Sequence, residues 1–288
     1  MTLAITVPAK INLWLEVLRK RPDGYHDISS LMLPLAVCDH LELEPADDAE
    51  IRVECDHPQV PKDETNLAWR AAQAYLARSG ERGGVRIRLW KTIPVGAGLG
   101  GGSADAAAVL LALNRLHGQR FSVQQLGEMA SRLGADVPFF IQQAPALATG
   151  IGEQLDAIAE VPEYPLVLVK PPLSVSTGGV YQRLKLTREG SRIKIAAFLA
   201  CPWRPQDFME NDLESVTLND YPLLSQIKQW MIAQGALGAL MSGSGPTVFG
   251  IFAGMGDAER VGERAKKEWD ECWVMTTRTL HAPPAKSR

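Results

Sequence analysis

The segment from Pro94 to Ala104 reads Pro-Val-Gly-Ala-Gly-Leu-Gly-Gly-Gly-Ser-Ala. Gly96, Gly98, Gly100, Gly101 and Gly102 crowd a stretch that no ordinary turn requires. Glycine lacks a Cβ, so its backbone N–H groups can approach a ligand closely and its φ can be positive. A helix follows at once. Ser103 is predicted to cap it, and Ala104, Ala106, Ala107, Ala108, Leu110 and Leu111 are good helix formers. Free N–H groups at a helix start, with the positive end of its dipole, make an anion site. Pro94, Val95, Gly96, Ala97, Gly98, Leu99, Gly100, Gly101, Gly102, Ser103 and Ala104 are therefore expected to hold a phosphate chain such as that of ATP.

Other readings of the loop compete. Gly96, Gly98 and Gly101 satisfy the letter of the GxGxxG dinucleotide fingerprint. That fingerprint follows a buried strand and has an acidic residue about 20 positions on. Lys91-Thr92-Ile93-Pro94 precedes the loop, and residues 112–124 hold no Asp or Glu, which weakens the match. A Walker A loop ends in Gly-Lys-Ser/Thr; Gly101-Gly102-Ser103 lacks the lysine, so that reading fails. A bare glycine hinge is the structural alternative, but it would not call for this many glycines, each of which costs conformational entropy.

Composition narrows the class. The 288 residues suffice for one large domain or two ordinary ones, and 46% hydrophobic with 22% charged is a globular balance. A net charge of −3 argues against a general nucleic-acid binder. Cys38, Cys55, Cys201 and Cys272 show no CxxC spacing, and the histidines no metal motif, so no metal cage is expected. Pro8, Lys10 and Asn12 interrupt the N-terminus, so no signal core is read there, and no apolar run is long enough to span a bilayer. A soluble, cytoplasmic protein without nucleic-acid or membrane partners is expected.

Alternation and turn signals give a mixed pattern. Leu3–Val7 and Ile11–Leu18 read as strands, and Leu41–Glu44 with Ile51–Glu54 as a hairpin around Ala46-Asp47-Asp48. Helices are predicted over 66–78, 103–116 and from a capping box at Ser122/Gln125 to Leu133. Beyond Gly150, strands are predicted over 166–169, 237–241, 248–252 and 273–279. Helices are predicted from an Asp220 cap to Ala233 and over 257–269. The class is α+β, with a boundary near residues 155–165.

Five segments in order carry a resemblance: Pro8-Ala9-Lys10-Ile11-Asn12-Leu13, Arg21-Pro22-Asp23-Gly24-Tyr25-His26, the glycine loop, Gly134-Ala135-Asp136-Val137-Pro138-Phe139-Phe140, and Ser242-Gly243-Ser244-Gly245-Pro246-Thr247. Together they resemble the GHMP kinases, which include galactokinase, homoserine kinase, mevalonate kinase and phosphomevalonate kinase. The likeness is strongest to the branch whose acceptor is a methylerythritol carrying a cytidine diphosphate.

The resemblance implies a two-domain fold. Residues 1–160 would form the N-terminal ATP-binding domain, with a left-handed βαβ crossover, and residues 161–288 a ferredoxin-like C-terminal domain. It implies ATP as phosphoryl donor, with Mg²⁺ carried mainly by the nucleotide and Ser103 near phosphate or metal. It implies Asp136 as the carboxylate that takes the proton of the attacking hydroxyl, and Lys10 as the ammonium that orients it. Asn12 would bond the acceptor; Tyr25, His26, Tyr181 and Thr177 would hold its cytidine end. Ser242–Gly245 would close over the phosphates, and Asn211-Asp212-Leu213 would be structural. Asp136 could otherwise be a simple helix cap before Val137-Pro138, Asp23-Gly24 a simple hairpin turn, and Thr177-Gly178-Gly179 a helix start.

Overall fold

The computed structural model describes residues 2–186, 193 and 195–281. The chain begins with β1 (Leu3–Lys20), β2 (His26–Ala46) and β3 (Ile51–Cys55), then α1 (Leu67–Ser79) and β4 (Gly84–Trp90). Next come α2 (Gly101–Leu116), α3 (Val123–Leu133), α4 (Val137–Gln142), β5 (Ala146–Thr149) and β6 (Gln154–Ala157). The second half holds β7 (Pro165–Lys170), α5 (Thr177–Arg183), α6 (Ile195–Ala200), β8 (Glu210–Asn211), α7 (Glu214–Asp220) and α8 (Pro222–Ala233). It closes with β9 (Gly238–Met241), β10 (Val248–Ile251), α9 (Met255–Glu268) and β11 (Trp273–Arg278). The α+β expectation holds.

The two strands predicted over 3–18 are one long strand. Pro8 does not end it, because the β1–β2 register shifts between Pro8 and Lys10, and again between Asn12 and Trp14. Bulges of this kind accommodate proline and re-aim the backbone. Lys10 N–H turns from β2 and donates to Leu99 O at 3.0 Å, tying β1 to the glycine loop.

The predicted hairpin is not formed. The first sheet runs β3-β4-β2-β1-β8, so β4 lies between the two strands. It pairs antiparallel with β2 and parallel with β3, α1 making the crossover. Gly84 allows this entry: its N–H reaches Asp48 O at 2.6 Å, and a Cβ there would overlap the backbone of Asp48 and Glu50. The acidic turn leads the chain across the sheet.

The second sheet runs β11-β7-β10-β9, all neighbours antiparallel. With α8 before β9 and α9 before β11 this is the β-α-β-β-α-β arrangement of a ferredoxin-like unit, as expected. Alternation divides its core. Leu166 and Leu168 face a cluster with Ile11, Leu13, Leu33 and Leu99 of the first half; Val167 and Val169 face α8 and α9 through Ile227, Met231, Val261 and Ala265. A third cluster packs α1, α2 and α4 on the first sheet through Ala71, Tyr75, Ala108 and Phe139. β8 adds to β1 in parallel, so the second half contributes a strand to the first sheet.

Two caps differ from expectation. Gly100, at φ 75°, precedes α2, and Ser103 lies inside it without a cap bond. Asp220 ends α7 rather than starting α8, because its carboxylate is drawn to Arg183 at 2.5 Å and Pro222 opens the next helix. The Ser122/Gln125 capping box forms as read.

Candidate active site

The glycine loop is a wall between two cavities. One, about 610 Å³, is lined by Lys10, Asn12, Tyr25, His26, Asp136, Thr177 and Tyr181 among others. The second, about 350 Å³, is lined by Pro94–Gly98 and Gly100–Ser103 with Asn66, Lys91 and Asp105. Gly98, Gly100 and Ser103 border both.

Two glycines make the wall thin. Gly98 has φ 75°, and a Cβ on it would overlap the Ser242 carbonyl oxygen. Gly100 also has φ 75°, and a Cβ would stand 2.6 Å from Phe140 Cζ and 3.2 Å from Lys10 Cγ. Leu99 and Ala104, by contrast, are fully buried and border neither cavity, with Leu99 O taken by Lys10 N–H and Ala104 N–H by Gly100 O. The late loop locks on from the other side: Ser242 Oγ donates to Gly98 O at 2.9 Å, and Thr247 N–H to Ala97 O at 3.2 Å. Asn211 holds that loop in turn, its amide donating to Met241 O at 2.7 Å and Gly243 O at 2.8 Å.

Lys10 sits between the two bulges of β1 with its side chain 5% exposed. Its Nζ donates to Asn12 Oδ1 at 2.8 Å and stands 3.5 Å from Asp136 Oδ2. Asn12 Nδ2 donates onward to Ser30 Oγ at 2.7 Å, and Ser30 Oγ to Trp14 O at 2.7 Å. The amide's orientation is thus fixed by both partners. Asp136 precedes α4 but makes no side-chain cap bond. Its carboxylate is left to face Lys10 and the cavity, against the simple cap reading.

At the cavity's other end the chain turns between β1 and β2. Asp23 accepts from Tyr25 N–H at 3.1 Å, Gly24 takes φ 88°, and Tyr25 emerges 60% exposed. The turn reading holds, and the turn also sets Tyr25 and His26 on the cavity lining. His26 is buried against Tyr181, ring centroids 5.3 Å apart and tilted 31°. Burial, and then the charge of Lys20, holds the His26 imidazole below its ordinary pKa, so it is neutral near pH 7. Burial raises the Tyr181 phenol, with the Asp136 charge adding to it. Thr177 opens α5 behind its Ser176 cap, and its hydroxyl pairs with Ser244 Oγ at 2.7 Å. Helix start and cavity wall are the same residues.

The sequence reading left the second cavity's far wall unassigned. Asn66, which caps α1 through Ala68 N–H, stands there beside Lys91 and Asp105. Lys91 directly follows β4, and Asp105 interrupts an alanine run in α2; those were the available signals.

Comparison with known proteins agrees with this architecture. Residues 66–143 match the description "GHMP kinases N terminal domain" and residues 204–271 "GHMP kinases C terminal". The chain is 48% identical over 275 residues to the 4-diphosphocytidyl-2-C-methyl-D-erythritol kinase of Geobacter sulfurreducens, covering 95% of this chain and 99% of that one. The enzyme of that name from Syntrophus aciditrophicus is 48% identical over 252 residues, covering 87% and 90%. A crystal structure of 4-(cytidine 5'-diphospho)-2C-methyl-D-erythritol kinase superposes with a TM-score of 0.83 at 39% identity, covering 96% of this chain and all of that one. A homoserine kinase from Cytophaga hutchinsonii, 22% identical with a TM-score of 0.75, shares the fold. With both domains matched and near-half identity over almost its whole length, the chain belongs to the GHMP kinase family.

Proposed function

We propose that the protein transfers the γ-phosphoryl group of ATP to the 2-hydroxyl of 4-diphosphocytidyl-2-C-methyl-D-erythritol, a step in the non-mevalonate (MEP) route to isoprenoid precursors. The observation that carries the reading is the pair of cavities that share Gly98, Gly100 and Ser103 as a common border, with Lys10 and Asp136 in the larger one. A donor on one side and an acceptor on the other would meet across a border where two of the three shared residues are glycines. The names of the most similar relatives support the choice of acceptor.

Phosphoryl transfer demands alignment and charge stabilisation more than covalent chemistry. Asp136 takes the proton of the 2-hydroxyl as that oxygen forms its bond to the γ-phosphorus. The bond from the γ-phosphorus to the bridging oxygen breaks, and ADP leaves. Lys10 orients Asp136 and steadies charge on the transferred group, while Asn12, fixed by Lys10 and Ser30, positions the acceptor. Tyr25 and Tyr181 offer faces for the cytosine ring, neutral His26 reads its edge, and Thr177 stands nearby. The loop from Pro94 to Ala104 cradles the triphosphate.

Magnesium fits this site as a companion of the nucleotide. Ser103 presents a hydroxyl oxygen at the junction of the cavities, whereas no cluster of three or more His, Cys, Asp or Glu side chains occurs among the described residues. When bound, the ion supplies neutralisation of phosphate charge. The same reading divides the chain at residues 160 and 161. Supporting this, β6 ends at Ala157 and β7 begins at Pro165. We read the enzyme as cytoplasmic, acting on small molecules without nucleic acid or membrane; no described helix is long and apolar enough to cross a bilayer.

The test is incubation with Mg-ATP and the cytidine acceptor. ADP and the 2-phosphate are the expected products. A folded sample that fails to turn over, or that turns over homoserine or mevalonate faster, contradicts the reading.

A further inference from the structure

Two residues of β8 join the second half to β1, and one of them reaches further. β8 pairs in parallel with Trp14 and Leu15, Asp212 N–H donates to Leu15 O at 2.9 Å, and Asp212 Oδ2 accepts Val17 N–H at 2.7 Å. The segment is thereby anchored on the strand that carries Lys10 and Asn12. Asn211 is 5% exposed, so its amide needs partners inside the protein. Nδ2 donates to Met241 O at 2.7 Å and Gly243 O at 2.8 Å, and Oδ1 accepts Leu213 N–H at 3.0 Å. A carbonyl only accepts and an N–H only donates, so these partners leave the amide one orientation.

Among the described residues, Asn211 is the one hydrogen-bond partner of Gly243. Gly243 has φ 57°, and a Cβ on it would stand 3.3 Å from Gly98 O and 3.6 Å from Asn12 Oδ1. Its bare Cα therefore fills the gap between the nucleotide loop and the amide that positions the acceptor. Asn12 Oδ1 is the oxygen that accepts Lys10 Nζ at 2.8 Å. Gly243, itself buried, thus backs the contact that sets Lys10 beside Asp136. The nucleotide loop has a separate support. Lys91 Nζ, just past β4, donates to Asp105 Oδ2 of α2 at 2.6 Å and to Asp39 Oδ2 of β2. Asp39 Oδ1 accepts Thr92 N–H at 2.7 Å and Ile93 N–H at 2.8 Å, the two residues that lead into the loop. A shift of Gly243 therefore falls first on the acceptor side.

We infer that Asn211 is a positioning residue for the transfer: by holding Gly243 O it keeps Gly243 packed against Asn12 and Gly98, and so keeps the Lys10–Asn12 contact in register with the nucleotide loop. The inference rests on the proposed transfer to the cytidine acceptor. It gives a part in the chemistry to a segment expected to be structural. Asn211 lines neither cavity, so it acts only through Gly243. Without its donors, Met241 O and Gly243 O lose their partner in a buried setting, and Gly243 relaxes away from Asn12. A reacting group misplaced by about 1 Å costs on the order of 10²-fold in rate, whereas holding a bound substrate is less exacting.

Asn211→Asp keeps the shape of the side chain and removes both donors. Assayed well below its melting temperature, with each substrate varied in turn, it is expected to lose about 10- to 100-fold in kcat while KM for ATP stays within about threefold of wild type. In an Asn12→Ala background the same substitution should cost no more than about threefold, because the side chain it acts on is gone. A purely structural clasp would lower the melting temperature alone, or would cost the same factor in both backgrounds; either result overturns the inference. Gly243→Ala tests the same contact from the other side and decides the matter if Asn211→Asp does not fold. Its methyl presses on Gly98 O and Asn12 Oδ1, so kcat should fall, and should fall less in the Asn12→Ala background, where the shortened side chain leaves room. An unchanged kcat in Gly243→Ala, or an equal loss in both backgrounds, also overturns the inference. A folded wild type that fails to phosphorylate the cytidine acceptor would instead defeat the proposed reaction.

Discussion

The Asp136 carboxylate faces the Lys10 ammonium at 3.5 Å while leaving the first turn of α4 uncapped. An aspartate at that position ordinarily binds the free N–H groups of its helix, a contact worth about 0.5–2 kcal/mol. Here the backbone of Asp136 is itself helical, at φ −80° and ψ −16°, which carries the side chain off the helix axis and over the cavity. The forgone cap marks a side chain held for another purpose.

Asp136→Asn tests the purpose. The amide keeps the shape and loses the basicity, so kcat is expected to fall by roughly 10²- to 10⁴-fold, the usual worth of a general base. KM for ATP should stay near wild type, because the nucleotide cavity does not include Asp136. With the carboxylate 34% exposed and uninvolved in capping, the melting temperature should move little. Phosphotransfer undiminished in the Asn variant would remove Asp136 from the mechanism.

Tyr25→Ala separates the two substrates. The ring is exposed at the mouth of the larger cavity, away from the nucleotide side. Stacking a base on an aromatic face is worth about 1–3 kcal/mol, so KM for the cytidine acceptor should rise roughly 5- to 150-fold. KM for ATP should not change. Equal changes in both constants, measured by varying each substrate in turn, would show that the ring does not hold the base.

How much of this was legible before the structure depends on which force places each residue. The Ser122 capping box and the strands of the second half follow local rules of turn chemistry and alternation, and they read correctly, whereas the ferredoxin-like arrangement of those strands came from the family resemblance. The hairpin at Ala46-Asp47-Asp48 misread because strand pairing is non-local: nothing near that turn announces that β4 will enter between its arms. Ser103 looked like a cap because Gly100, which starts α2 in a left-handed conformation, has no side chain to advertise the role. Asp220 looked like one too, until Arg183, 37 residues away, claimed its carboxylate. Lys10, Asn12 and Asp136 were named through family resemblance. Their physical reason, two bulges and a withheld cap, is invisible in composition or spacing. Lys91 and Asp105 went unassigned because a buried ion cluster is assembled from three separate elements.

Gly98→Ala and Gly96→Ala distinguish the loop's two demands. Both positions have positive φ, at 75° and 63°. A Cβ at Gly96 meets open space, so only the conformational cost applies, about 1–2 kcal/mol. At Gly98 the same cost is joined by overlap with Ser242 O and a 3.0 Å approach to Gly245 O, which pushes the two glycine loops apart. Gly98→Ala should therefore melt lower than Gly96→Ala, by at least about 2–4 °C for each further kcal/mol in a chain of this size. It should also raise KM for both substrates, because Gly98 borders both cavities, whereas Gly96 borders the second alone. Matching melting points and matching kinetics in the two variants would show that the late loop does not lean on Gly98.

Asp105 makes the stability of the free protein depend on pH in a direction opposite to most carboxylates. Its folded-state pKa, about 7, lies above the ordinary aspartate value near 3.9, so between those two pH values the native state binds more protons than the unfolded chain. Stability from this group is then full below the unfolded pKa and is lost as pH rises through the folded one. Asp105→Asn removes the titration and keeps the volume. The variant should gain on wild type as pH rises, with the difference in unfolding free energy growing between pH 5 and 8 and levelling above. Urea unfolding at pH 5, 6, 7 and 8 measures that difference. A gap that stays constant, or that shrinks with pH, would show that Asp105 is ionised throughout and that Lys91 neutralises it fully.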